Sequence, residues 1–355
     1  MKTITVVGLG AGDLEQLPLG IYRHLQQAKA IYLRTNEHPV VEALQAEGMT
    51  FESFDAIYLA NDSFEKVYEE IVQYLVEEAA ISPITYAVPG HPLVAEKTVQ
   101  LLLEKHARKE IHVDVLGGQS FLDPMFGALG VDPIEGFQLL DATDLSRDDV
   151  MMKQHIIIGQ VYDQYRASDV KLTLLEKYPE TTEVTIVTAA GTKSENVRRV
   201  PLLELDREVE LNNLTSVYVP PMHQQENRYK EWGTFREIIA KLRSPEGCPW
   251  DREQRHESLK KYLIEETQEL IEAIDQQDDE GMIEELGDVL LQVFLHAQIG
   301  EEEGYFQLED VLERVSSKMV FRHPHVFGDV EVTSAEEVKA NWQKLKQQEK
   351  QKKGE

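Results

Sequence analysis

The sequence predicts a multidomain protein in which an α/β domain is followed by an all-α helical bundle. Three observations carry that expectation. The chain has 355 residues, 42% of them apolar, enough for about two domains with their own cores. Up to about residue 222, short β-branched runs alternate with helical patterns, as strands packed between helices require. From about residue 228 the strand signals stop and the apolar periodicity is helical alone.

Taken in order, ITVVGLG is a first strand and LGIYRHLQQAKAIYL a helical pattern. ITYAVPG is an apolar strand closed by a Pro-Gly turn, LVAEKTVQLLLEKH a helix and IHVDVLGG a strand. HIIIGQV (155–161), EVTIVTAAG (183–191) and LTSVYVPP (214–221) complete the strand candidates. The first domain is therefore expected over 1–222, and the polar PMHQQENR stretch places a linker at 223–229. Four helical patterns follow within 230–345: YKEWGTFREIIAKLR, SLKKYLIEETQELIEAI, GMIEELGDVLLQVFLHAQIG and LEDVLERVSSKMVF. The charged tail, 346–355, is polar on every face and is expected to fray.

The formal charge of −28 repels a phosphate backbone and argues against nucleic acid as a partner. No apolar run approaches the roughly 20 residues that cross a bilayer, so no membrane partner is expected. The N-terminus enters a strand pattern directly, without the features of a signal peptide, which predicts a cytoplasmic protein. The single cysteine, Cys248, excludes an internal disulfide and a cysteine-rich metal site.

The most informative stretch is 265–288, EETQELIEAIDQQDDEGMIEELGD, which holds eleven acids and no basic residue among twenty-four positions. On a helical wheel, apolar side chains cover nearly the whole circumference of 282–297. Glu285, Asp288, Gln292 and His296 share one narrow polar stripe. Such a helix should be buried, and a buried carboxylate persists when it is protonated, paired or bound to metal. The preceding helix carries Glu266 at the border of its packing stripe and Glu269 one turn on. Reading DQQDDEG as a turn stopped by Gly281 makes the two helices an antiparallel hairpin, which can set Glu266 and Glu269 opposite Glu285 and Asp288. Four hard oxygen donors suit Mg²⁺ or Mn²⁺ rather than Zn²⁺. Taken singly, Glu265, Glu269 and Glu272 read as a solvated face.

The E-x-x-E, spacer, E-x-x-D pattern of Glu266, Glu269, Glu285 and Asp288 resembles the MazG-type nucleoside triphosphate pyrophosphohydrolases. So do its flanks, GCPWDREQRHESLKKYLIEETQELIEAI, SSKMVFRHPHVFGD and NWQKLKQQE, across about 120 residues. Arg255 departs from the small Thr of the usual CPWDREQTH, at the rim and not among the acids. The resemblance implies hydrolysis of a nucleoside triphosphate to a monophosphate and pyrophosphate by a Mg²⁺-dependent bundle, a homodimer through this domain. It implies Glu265, Glu266, Glu269, Glu285 and Asp288 as catalytic residues. Glu265 would orient a water or act as base, and the other four would be metal ligands. Lys318 and Arg322, at i and i+4, would bind substrate phosphates; their alternative is a solvated pair. His323 and His325 read as loop hydrogen-bonding groups, and Trp250 and Trp342 as packing or as covers for a base.

In the first half, VVGLGAGD sets Gly8, Gly10 and Gly12 after a strand without the spacing of a dinucleotide or ATP loop. Together with YAVPGHPLVAEKT, GGQSFLDPMFGALGVDP and VTAAGTKSENVRRVPLLELD, it resembles the tetrapyrrole methylases over roughly 1–222. The resemblance implies two α/β lobes holding S-adenosylmethionine between them. The expected ligands are Gly8, Gly10, Gly12 and Asp13 in the first turn and Pro89, Gly90 and His91 in the second. Ser120 and Phe121 follow in the third, with Ala190, Gly191 and Thr192 at the last strand's end. Gly90-His91-Pro92 stands where the family loop reads Gly-Asp-Pro, which leaves the methyl acceptor undefined and keeps a ligand-binding regulatory role open beside methyl transfer. A nucleotide-sensing scaffold is the corresponding alternative for the second domain.

Overall fold

The computed structural model describes residues 2–61, 63–207 and 210–352. The chain divides into two compact units, and the division falls between Arg228 and Tyr229. The end of the predicted linker forms a short turn, Gln225–Arg228, whose Arg228 is buried.

The first unit begins with strand β1 (Thr3–Gly8), and β2 (Ile31–Leu33), β3 (Glu52–Ser53), β4 (Ile84–Val88) and β5 (His112–Gly117) join it in the order β3-β2-β4-β1-β5. Every pairing in this sheet is parallel. Parallel strands are covered on both faces and read as unbroken apolar runs, and β4, ITYAV, is buried throughout. Side-chain alternation feeds two cores: Ile4, Val6 and Tyr86 face one way, and Val7, Leu33 and Ala87 the other. Helices α1 (Leu19–Gln27) and α2 (Pro39–Ala46) cover the second face. Helices α3 (Asp55–Ala60), α4 (Phe64–Ile81) and α5 (Lys97–Ala107) cover the first. Each fully buried aliphatic side chain here contributes about 1.5–3 kcal/mol.

After α6 (Leu122–Leu129) comes a second five-stranded sheet. It contains β6 (Phe137–Asp141), β7 (His155–Gly159), β8 (Glu183–Thr188), β9 (Asn196–Pro201) and β10 (Thr215–Val219) in the order β6-β7-β10-β8-β9. Only β6 and β7 pair in parallel; the rest is antiparallel. Ile156, Ile158, Val217 and Val219 pack on α7 (Gln164–Leu175), while Ile157, Val187 and Tyr218 pack against Met125 of α6. The predicted strands at 155–161, 183–191 and 214–221 correspond to β7, β8 and β10.

The second unit is helical: α8 (Trp232–Arg243), α9 (Pro249–Glu253), α10 (His256–Gln276), α11 (Asp279–Glu302), α12 (Leu308–Arg322), α13 (Pro324–Phe327) and α14 (Ala335–Lys352). Its core gathers Ile239, Leu259, Phe294, Leu295 and Ile299. Four expectations are corrected. The turn between α10 and α11 is only Gln277 and Asp278, with Gln277 left-handed at φ 56°. Gly281 is not a stop but lies in the first turn of α11, where its N–H donates to the capping Asp278 carboxylate at 3.1 Å. The helix predicted to be buried all round is covered only in its C-terminal part: Ile283 and Leu286 are 67% and 55% exposed, because little besides α10 packs there within one chain. The charged tail, expected to fray, continues α14 to Lys352; residues 353–355 of that tail lie outside the described residues.

Candidate functional site

The α10–α11 hairpin brings Glu266, Glu285 and Asp288 together, with one carboxylate oxygen of each within 4.8 Å of the others. Helical spacing does this: Glu285 and Asp288 lie one turn apart on α11, and antiparallel packing sets Glu266 of α10 against them. All three are half-buried. Glu269 is exposed and outside the tight group, although it stands near enough to Glu285 to act on its ionisation. Glu265 is exposed beside them.

The electrostatics are those of carboxylates crowded without a counter-charge. Desolvation first, then the charges of Asp288, Glu269, Glu265 and Glu285, holds the Glu266 carboxyl above its ordinary pKa. Glu285 is raised too, by desolvation first and then by Glu269, Asp288 and Glu284. One oxygen of Glu285 is shielded from water with no hydrogen-bond partner among the described residues. An arrangement of hard oxygen donors, mutually repelling and with an unsatisfied lone pair, fits a small divalent cation such as Mg²⁺ or Mn²⁺.

Lys318 and Arg322 share a face of α12 and are both half-buried. The imidazole of His323 donates from Nδ1 to the Met319 carbonyl at 2.6 Å and packs edge-on against Trp342. Trp250 packs edge-on against Tyr262, its ring half exposed. Two features carried no assigned role in the sequence. Gln292 continues the stripe of Glu285 and Asp288, is 4% exposed, and its side-chain oxygen has no hydrogen-bond partner among the described residues. An orphaned buried acceptor of this kind costs about 1–3 kcal/mol. Beyond it, His296 and His256 approach Nδ1 to Nδ1 at 2.7 Å with rings stacked, and desolvation first, then His256, holds the His296 pKa below its ordinary value. The polar stripe was the signal available for both.

In the first unit the four predicted turns converge. Gly10 and Gly90 exchange backbone hydrogen bonds of 3.2 and 2.8 Å, joining the first turn to the second. A Cβ on Gly8 would stand 2.2 Å from the Gly90 carbonyl oxygen and 3.1 Å from Gly118, so the first three turns meet where only glycine fits. Gln16, which the sequence did not single out, donates to the Gly191 carbonyl and ties the fourth turn to the first across 175 residues. The Lys193 ammonium lies 3.9 Å from the Asp13 carboxylate. His38 donates from Nε2 to the Gly10 carbonyl at 2.9 Å, and its burial lowers its pKa. Ser120 accepts from the Leu122 N–H at the start of α6, and Phe121 and Ala190 pack in the apolar cluster above β7 and β8. Thr192 closes its turn by donating to the Ala189 carbonyl. Pro89 is half-buried between Val88 and Gly90. His91 accepts the Leu93 N–H at Nδ1, 3.1 Å, which leaves Nε2 as the donor of the neutral ring.

Comparison with known proteins follows the same division. Residues 3–206 match the family profile of the tetrapyrrole (corrin/porphyrin) methylases, and residues 254–327 that of the MazG nucleotide pyrophosphohydrolase domain. The uncharacterized protein YabN of Bacillus subtilis (strain 168) is 58% identical over 347 residues, 98% of this chain and 71% of its own. The nucleoside triphosphate pyrophosphohydrolase/pyrophosphatase MazG of Thermotoga maritima is 60% identical over 116 residues, 33% of this chain and 44% of its own. The nucleoside triphosphate pyrophosphohydrolase of Escherichia coli (strain K12) is 43% identical over 113 residues, 32% of this chain and 43% of its own.

Proposed function

This chain belongs to the tetrapyrrole methylases and carries a MazG nucleotide pyrophosphohydrolase domain behind them, and from that premise we propose that its helical unit hydrolyses nucleoside triphosphates to nucleoside monophosphates and diphosphate. The observation that carries the reading is the gathering of Glu266, Glu285 and Asp288, with an unsatisfied oxygen on Glu285. These three, with Glu269 beside Glu285 as a fourth donor, would hold Mg²⁺ or Mn²⁺. When bound, the ion neutralises phosphate charge and acidifies a neighbouring water.

The chain's own residues supply the rest. Glu265, exposed next to Glu266, takes the proton of the attacking water. The water oxygen bonds to the α-phosphorus while the bond to the α–β bridging oxygen breaks, and diphosphate leaves with that electron pair. Lys318 and Arg322 hold the departing β- and γ-phosphates, whose charge grows as the bridge opens. In isotopically labelled water the label enters the nucleoside monophosphate. Label in orthophosphate, with nucleoside diphosphate as co-product, would place attack at the γ-phosphorus and overturn the reading.

For the first unit the reading is S-adenosylmethionine binding by the converging turns at Gly8–Asp13, Pro89–His91, Ser120–Phe121 and Ala190–Thr192. A second reading is supported by His91: with Nδ1 accepting the Leu93 N–H, the ring has Nε2 free to donate where a carboxylate would accept, which favours a ligand-binding regulatory module over transfer of the methyl group to an acceptor. For the helical unit, the exposed apolar residues of α10 and α11 support a homodimer through that face. The net charge of −28 supports small anionic ligands held by metal over nucleic acid. Among the described residues no helix is long and apolar enough to cross a membrane.

A further inference from the structure

Gln292 stands on α11 four residues beyond Asp288 and seven beyond Glu285. At 100° and 1.5 Å per residue, it lies on their stripe about 6 Å further along the axis from Asp288. It is 4% exposed, and its side-chain oxygen lacks a hydrogen-bond partner among the described residues. A buried amide oxygen that meets no partner among the described residues is a group open to one from a ligand.

We propose that Gln292 reads the nucleoside part of the substrate. The inference rests on the pyrophosphohydrolase reading. With the α-phosphate at the Glu266–Glu285–Asp288 group, the sugar is joined to it through one oxygen. A nucleoside is longer than one helical turn, so along the stripe it can reach the next polar group beyond Asp288. An amide presents an acceptor and a donor side by side, which matches the hydrogen-bonding edge of a base or a sugar hydroxyl. A site that pairs a buried amide with the correct nucleoside rejects one that leaves the amide unpaired. Gln292 is thus a specificity residue and holds neither metal nor phosphate.

The test uses the full chain and two variants, Gln292→Leu, which keeps the volume and removes both polar ends, and Gln292→Glu, which keeps an acceptor and removes the donor. Binding of ATP, GTP, CTP and UTP is measured by calorimetry with Ca²⁺, where no turnover is needed, and hydrolysis of the same panel with Mg²⁺. Mn²⁺ binding without nucleotide is followed by electron paramagnetic resonance. The expected result is that Gln292→Leu weakens the preferred nucleotide about tenfold while barely moving the least preferred, so that the preference collapses. Gln292→Glu should re-order the panel, and Mn²⁺ affinity should be unchanged in both. A uniform loss across the four nucleotides, no loss at all, or a parallel loss of Mn²⁺ would overturn the proposal. A panel whose preference depends on Gln292 in binding, but with no hydrolysis by the unaltered chain, would sink the pyrophosphohydrolase reading and leave this inference standing. A partner subunit satisfying Gln292 would show as a shift in oligomeric state of Gln292→Leu with nucleotide preference intact, and overturns it too.

Discussion

Glu285 is held one turn from Asp288 and across from Glu266, with a water-shielded oxygen that meets no donor among the described residues. Such a carboxylate fits a cation, and its removal relieves repulsion and an unsatisfied group. Glu285→Ala and Asp288→Ala should each lower diphosphate release by more than about a hundredfold and abolish Mn²⁺ binding. In metal-free buffer neither variant should unfold earlier than the unaltered chain. Full activity in both variants would remove the site, and an early thermal transition in metal-free buffer would make their role structural.

Helix α7 carries a second kind of charge, paired rather than repelling. Lys171 Nζ lies 2.5 Å from the Asp206 carboxylate, and both side chains are largely buried. Partial burial pushes the Asp206 pKa up, but the hydrogen bond and charge of Lys171 overcome it and leave it below the ordinary 3.8. A carboxyl depressed in the folded state stabilises the fold above its ordinary pKa and loses that contribution as pH falls through the lowered value. The bridge should therefore be intact from neutral pH down to about the ordinary carboxylate range and fail below it. Asp206→Asn should lower the stability of the first unit by about 2 kcal/mol at pH 7. The loss should fade in strong acid; a loss that is the same at pH 7 and at pH 2, followed by circular dichroism, would assign it to packing.

At the scale of the molecule, the chain divides between Arg228 and Tyr229 into two units with separate cores. The helical unit leaves Ile264, Ile271, Ile274, Ile283 and Leu286 exposed along one hairpin, apolar side chains of the kind that mark an interaction surface. Light scattering should give twice the chain's mass, and Ile283→Glu should return it to one. A dimer that survives Ile283→Glu and Ile264→Glu together would place the contact elsewhere. The first unit, with its own two sheets, should bind S-adenosylmethionine as residues 1–228 alone. Calorimetry checks it, and no heat at millimolar ligand would leave those turns as scaffold.

Fold class, the order of the elements and the acid pattern were legible because they are local. Strand-turn-helix alternation, glycines at turn positions and carboxylates at i and i+3 are set by periods of 2.0 and 3.6 residues. Even the stripe that ends in Gln292 and His296 could be drawn on a wheel. What needed the tertiary structure was distance across the chain. Gln16 finds Gly191 only after two sheets have folded, and Glu266 joins Glu285 and Asp288 while Glu269 stays outside. Burial was the harder quantity. The wheel assigned α11 an apolar circumference, but whether each side chain is covered depends on what packs against it. One chain supplies cover for Phe294 and Leu295 and none for Ile283. A sequence states which residues prefer to leave water; only the assembled surface decides which of them have somewhere to go.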